Sequence, residues 1–336
     1  MRIDKLDVYY VVMPLIYPWR TAYGEDRDIH SVLVKTTSGE WEAWSESTPF
    51  FAPTYLTESA GSVFYHVSEV FGPYVVGREY ETAADLNARL DVFKGNSFAK
   101  AAIEIGWWAL ASRISATPLH RLLGGRTREV VAGADFGIQD SFDMLLGNIQ
   151  QAVDAGFPRI KLKVAKGWDL DMLQVVRKAF PDFTFHIDCN SGYTLEDLPF
   201  FKAIDGLGLA FIEQPLHFAD VLDHAELARQ IETPICLDET IVSVRAAEQA
   251  IRTKACKYIN IKPGRIGGLS NALAVHDLAR DAGIPVLMLS ATACSNPVEM
   301  RAIGYQLGMH NYRHWWNWCL KTGCRKGHFG GLQFNN

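Results

Sequence analysis

Five ionisable residues recur at nearly one interval through the middle of the chain. Lys163, Asp188, Glu213, Asp238 and Lys262 are separated by 25, 25, 25 and 24 residues. Each lies near the C-terminal end of a short apolar run, in RIKLKV, FTFHIDCN, GLAFIEQP, PICLDET and KYINIKP. Taken singly, each acid reads as a solvated strand end or a helix cap. Taken together and in phase, three carboxylates would raise one another's pKa and oppose folding unless a cation joined them. Three hard oxygen donors, with room left for water and substrate, suit Mg²⁺, with Mn²⁺ as the alternative ion. Lys161 and Lys163 are two residues apart on an extended segment, so both point to one face. Alone, that Lys-x-Lys pair would read as a solvated edge. Beside a cation, a buried lysine has a depressed pKa and can act as a base. An ion holding a small-molecule carboxylate substrate would stabilise the enediolate left when the α-proton departs.

Something must bring these residues to one place. From Val130 onward, seven short apolar runs alternate with amphipathic helical stretches such as MLLGNIQQAVDAG, LDMLQVVRKAF and LSNALAVHDLARDAG. Strand–helix alternation implies a parallel sheet covered by helices. Seven successive units favour a (β/α) barrel, an α/β architecture whose strand ends open at one mouth. Lys262 would then reach that mouth from the side opposite Lys163. No Gly-x-Gly-x-x-Gly follows a strand, which weakens a dinucleotide-binding reading.

The first 128 residues have a different rhythm. Two strand-like segments begin at Ile3 and Ile29, and the second turns at Ser38-Gly39. Residues 56–71 and 83–93 read as helices. The segment AKAAIEIGWWALASRI, from Ala99, is apolar on every side and predicts a helix buried between two layers. The expected division is an α+β unit over residues 1–128, a barrel over 129–289 and an atypical segment over 290–336.

Composition limits the partners. Of 336 residues, 48% are hydrophobic and 21% charged, as in a globular protein with a substantial core. A net charge of −5 gives no basic field for nucleic acid. No apolar run is long enough for a membrane span, and the start lacks a signal-peptide cleavage pattern. Six cysteines, at 189, 236, 256, 294, 319 and 324, form no Cys-x-x-Cys pair and read as reduced thiols of a cytoplasmic protein. Homo-oligomerisation is left open.

RIKLKV, HIDCNSGYT, FIEQPL, PICLDETI and NIKPGRIGGLSNA resemble the muconate-lactonizing subgroup of the enolase superfamily, most closely its o-succinylbenzoate synthase / N-succinylamino acid racemase branch. The resemblance implies a modified TIM barrel under an N-terminal capping domain. It implies Asp188, Glu213 and Asp238 as metal ligands. Lys163 would be the acid/base on one face, Lys161 its helper and Lys262 the opposing group. Asn190 and Glu239 match positions just behind the ligands, although Glu239 also reads as an exposed helix-entry residue. Capping loops would lie at residues 20–26 and 47–55, with Arg20, Tyr23, Phe50 and Phe51 as substrate-facing candidates. The implied activity is a lyase step of menaquinone biosynthesis. A racemase of N-acylamino acids is the alternative, and a dipeptide epimerase a further one.

The end departs from that pattern. No Gly-Gly-Met-x-Glu segment follows IPVLM, and residues 290–336 hold one acid, Glu299, against five Lys/Arg. That segment also carries three of the nine tryptophans and half of the cysteines. A shifted reading frame or a divergent natural ending would each give this composition. His314, Cys319, Cys324 and His328 are spaced unlike a usual zinc finger. The expectation is an incomplete eighth unit and, with it, an impaired homologue as a third functional reading.

Overall fold

The computed structural model describes residues 1–125 and 132–288. The expected boundary near residue 128, the eighth unit and the four His and Cys of the tail lie outside those residues.

A three-stranded antiparallel sheet and a set of helices form the N-terminal unit. Strand β1 (Arg2–Ile3) pairs with β5 (Arg78–Glu79). Strands β2 (Lys5–Thr21), β3 (Gly24–Ser38) and β4 (Trp41–Ser47) run as a meander. The β3–β4 turn falls at Gly39, whose φ of +56° suits glycine, as Ser38-Gly39 predicts. The helix expected over 56–71 instead begins at Ala60. Ser59 and Ser62 form a reciprocal cap there, and the helix continues through wider turns over His66–Phe71 and a last α-turn to Val75. The helix expected over 83–93 is Ala83–Leu90, capped by Thr82 and Asp85.

The all-apolar helix spans Ser97–Ile114 and is buried on nearly every side, as its sequence predicts. One side packs on β3 and β4. A Cβ at Gly106 would lie 2.5 Å from Thr36 Oγ1, so only glycine permits that approach. Ser45 Oγ donates to Ala102 O at 2.5 Å and Ser47 Oγ to Phe98 O at 3.1 Å. The other side meets the helical turn Pro263–Ile266 and the helix Leu269–Asp281.

The second unit is a curved, all-parallel sheet of seven strands in sequence order. They are β6 (Ala134–Phe136), β7 (Ile160–Lys163), β8 (Phe185–Asp188), β9 (Ile212–Glu213), β10 (Ile235–Leu237), β11 (Tyr258–Ile261) and β12 (Val286–Met288). Among the described residues, β6 and β12 pair on one side only. Helices cover the outer face, and Leu162, Ile187, Leu237, Ile259 and Ile261 belong to the apolar core between layers. The alternate residues point the other way, and there the polar groups collect.

Candidate functional site

The strand register does the gathering. Lys163 pairs across with Asp188, and Asp188 with Glu213. Asp238 follows β10 directly and Lys262 follows β11 directly. All five expected residues therefore reach one end of the sheet, and all are at most 9% exposed. Beneath them, His186 and Phe211, two positions before Asp188 and Glu213, meet with tilted rings and centroids 4.3 Å apart, and Phe211 meets Tyr258, four positions before Lys262, at 4.9 Å. These rings form the floor of the site.

At one side, Lys161 Nζ lies 3.0 Å from Asp188 Oδ2 and 3.3 Å from Glu213 Oε2. Lys163 Nζ donates to the same Asp188 oxygen at 2.5 Å and to Asn190 Oδ1 at 3.0 Å. At the other side, Lys262 Nζ donates to Asp238 Oδ2 at 2.8 Å. Asn190 and Ser191 have φ of 42° and 62°, a left-handed turn just after β8; such backbone strain is typical of functional sites. That turn lets Asn190 Nδ2 reach Glu239 Oε1 at 2.9 Å, joining the two sides.

Charge balance sets the protonation states. Burial alone would lower the Lys161 pKa, but Asp188, Glu213 and Asp135 together hold it well above the ordinary lysine value. Lys163 is raised in the same way, with burial opposed chiefly by Asp188. Those raised values belong to ammonium groups paired directly with carboxylates; the depressed lysine pKa expected from the sequence is that of a lysine beside a bound cation. Burial would raise Asp188, yet Lys161 and Lys163 hold it below the usual carboxylate range. Burial likewise opposes the effect of Arg265 and Lys262 on Asp238, which is also depressed. Glu239 goes the other way. Burial, then Asp238 and Asp188, push it up to about 8. It is 2% exposed, which overturns the exposed helix-entry reading.

The donor chemistry fits a hard divalent cation. Asp188, Glu213 and Asp238 are buried oxygen donors at the ends of successive strands, and Glu239 Oε2 is buried with no hydrogen-bond partner. Lysine ammonium groups lie against these carboxylates. Among the described residues, no three His, Cys, Asp or Glu side chains stand close enough to enclose an ion.

The capping-loop candidates divide. Tyr23 and Phe50 lie with Tyr55 in a ring cluster, with centroids 5.9 to 6.4 Å apart. Arg20 sits at the rim, donating to Glu25 at 2.7 Å and to Asp140. Phe51 is 66% exposed and packs on His30, so it is not brought to the carboxylates. Ala22 from the same loop as Arg20 reaches the turn after β8. A Cβ at Gly192 would lie 2.9 Å from the Ala22 Cβ.

Several groups escaped the sequence reading. Tyr55 hydroxyl donates to Asp238 Oδ2 at 2.9 Å and accepts from Lys262 at 2.8 Å and from Arg265 at 2.7 Å. Arg265 is fully buried, pairs with Asp238 and donates to Ile241 O and Asn260 O. Gln214 Oε1 accepts from the backbone N–H of Asp238 and of Thr240, at 3.0 and 3.1 Å, which fixes the turn after β10. Asn260 Nδ2 holds Glu213 Oε1 at 2.7 Å. Asn260 had a signal, since it lies two residues before Lys262 on the same strand face. Arg265 stood in KPGRIGG, and Tyr55 closes the second loop. Cys189, Cys236 and Cys256 are buried free thiols, as expected.

Comparison with known proteins supplies the frame. Residues 145–317 match the family described as Enolase C-terminal domain-like, and residues 5–124 match the Mandelate racemase / muconate lactonizing enzyme N-terminal domain. The chain is 38% identical over 288 residues to an N-succinylamino acid racemase of Thermus thermophilus, covering 86% of this chain and 78% of that one. It is 37% identical over 287 residues to an o-succinylbenzoate synthase of Geobacillus kaustophilus, covering 85% and 76%. A solved enolase-superfamily member from Listeria innocua superposes with a TM-score of 0.85 at 30% identity, over 93% of this chain and 84% of that one.

Proposed function

This chain belongs to the enolase superfamily, and we propose that within it the protein is a Mg²⁺-dependent o-succinylbenzoate synthase that removes an α-proton with lysine. The observation carrying this reading is the placement of Lys163 and Lys262 at opposite ends of one row of buried carboxylates. Asp188, Glu213 and Asp238 would hold the cation, which would neutralise their charge and polarise the substrate carboxylate. Lys163 takes the α-proton of a cyclohexadiene carboxylate and returns it to the leaving hydroxyl on the same face, so that water departs. Lys262 holds a fixed positive charge beside the developing enediolate. Lys161 orders Asp188 and Glu213 from below, and Asn190 holds the Lys163 ammonium in line with Asp188. The ring cluster of Tyr23, Phe50 and Tyr55 excludes water from above.

A second reading has its own support. Two lysines facing one site also serve a racemase, each exchanging the α-proton on its own face, and relatives of both names match at nearly equal identity. Assay of the purified chain with Mg²⁺ on the cyclohexadiene carboxylate and on both enantiomers of an N-succinylamino acid separates the two. Turnover of the first alone supports the synthase, and turnover of the second alone supports the racemase. Failure with both overturns the activity and leaves the impaired homologue.

A further inference from the structure

Lys262 is the first residue of a nine-residue stretch, KPGRIGGLS, that the N-terminal unit grips at three points. Phe98 lies against Gly264, where an added Cβ would meet its ring at 3.0 Å. Tyr55 holds Lys262 and Arg265. The third grip has no part in the chemistry described above. Glu104, in the middle of the apolar helix Ser97–Ile114, is 0% exposed. Its carboxylate accepts from Leu269 N at 2.8 Å, from Ser270 N at 2.9 Å, from Ser270 Oγ at 2.5 Å and from Trp108 Nε1 at 2.9 Å. The helix Leu269–Asp281 has Gly268 at its N-cap and receives no side-chain cap from that residue. Glu104 therefore supplies, from a separate unit 165 residues away in sequence, the cap that the helix lacks. Gly268 makes the approach possible. Its φ is +124°, and a Cβ there would fall 2.3 Å from Glu104 Oε2.

An acid in the interior of an apolar helix is costly to bury. Three of the four hydrogen bonds it accepts come from the end of the turn that begins at Lys262. We propose that Glu104 is a positioning residue, which locks the Lys262–Ser270 segment to the N-terminal unit and so fixes where the Lys262 ammonium stands relative to the carboxylate row. The functional part of this inference rests on the reading of Lys262 as the group opposing Lys163. Glu104 itself touches neither the carboxylates nor the lysines. In Glu104→Gln, the amide would set an N–H against the N–H of Leu269 or Ser270, which loosens the turn without creating a cavity.

The experiment uses the purified full chain, Glu104→Gln and the milder Ser270→Ala, which removes one accepted bond. Amide hydrogen exchange in the peptide covering residues 262–270 should quicken about tenfold or more in Glu104→Gln, while peptides covering 185–193 and 235–241 keep their protection. Ser270→Ala should move the same peptide in the same direction by less. α-Proton exchange in D₂O is then followed for both enantiomers of an N-succinylamino acid, and Lys262→Ala identifies the enantiomer served from that side. Glu104→Gln should slow exchange of that enantiomer roughly ten- to a hundredfold and leave the other within about twofold. Equal loss for both enantiomers, with protection lost throughout the barrel, would mean a general structural role and overturn the proposal. Unchanged protection of residues 262–270 in both variants would overturn it as well. If the unsubstituted chain turns over neither substrate class, the functional reading fails on its own. The amide data still decide whether Glu104 holds the segment.

Discussion

Lys161 and Lys163 donate to the same oxygen of Asp188, from 3.0 and 2.5 Å. Two ammonium groups on one carboxylate oxygen mark a site whose negative charge calls for strong neutralisation. A divalent ion would compete with the lysines for those oxygens. Mg²⁺ is therefore expected to raise the melting temperature, by an amount equivalent to about 2.7 kcal/mol at a hundred times its Kd. Asp188→Asn and Asp238→Asn should each abolish that rise, and chelator should remove activity. The same Mg²⁺-dependent rise in both variants would show that the ion binds elsewhere.

The two lysines should fail differently when removed. Lys163→Ala is expected to lower dehydration by roughly 10²- to 10⁴-fold, the usual worth of a positioned acid/base. It should also stop deuterium entering the α-carbon in D₂O. If the protein is a synthase, Lys262→Ala should lose turnover through the missing positive charge yet retain some exchange from the Lys163 side. Full solvent exchange by Lys163→Ala would identify another group as the base.

The sequence exposed the residues that share one period and concealed those that meet across the chain. Lys163, Asp188, Glu213, Asp238 and Lys262 were visible because each strand–helix unit has nearly the same length, so phase along the chain becomes position around the mouth. Tyr55 and Arg265 are separated by 210 residues, and nothing local marks their bond. Nothing local marks Glu104 either, since its partners Leu269 and Ser270 lie in the other unit. The start of the helix at Ala60 was misplaced for a local reason. Its reciprocal cap uses Ser62 where a Glu or Gln is the usual signal, and the apolar Leu56 ahead of it looked helical.

Tyr55 ties the second capping loop to the site with a single hydroxyl. Tyr55→Phe keeps the ring against Tyr23 and Phe50 but removes the bonds to Asp238, Lys262 and Arg265. Arg265 and Lys262 retain Asp238, so no charge is stranded. The expected loss of stability is about 1–3 kcal/mol by urea unfolding. Turnover should fall by a larger factor than KM changes, because the substitution frees the Lys262 ammonium. A variant with unchanged stability and unchanged turnover would remove Tyr55 from the site.

The last expected outcome concerns acid. His224 is buried, and its Nε2 accepts from Leu216 N at 3.1 Å, which requires the neutral ring. Its other nitrogen meets Asp220 O, and Gln214 Nε2 lies 3.4 Å from Nε2. Burial, only partly offset by Asp220, lowers the pKa from 6.5 to about 4. In the unfolded chain the ring charges at its ordinary pKa, so between pH 6.5 and 4 the unfolded state binds the additional proton. The stabilisation is therefore complete above about pH 6.5 and is lost as pH falls toward 4. A shift of this size corresponds to about 3 kcal/mol. Because Gln214 fixes the Asp238 turn, loss of the neutral histidine should also loosen that turn. Urea unfolding at pH 7.5 and 4.5 tests this. His224→Gln should be less stable than the unsubstituted chain at pH 7.5 and should lose less between the two pH values. An equal loss in both proteins would assign the acid sensitivity to other groups.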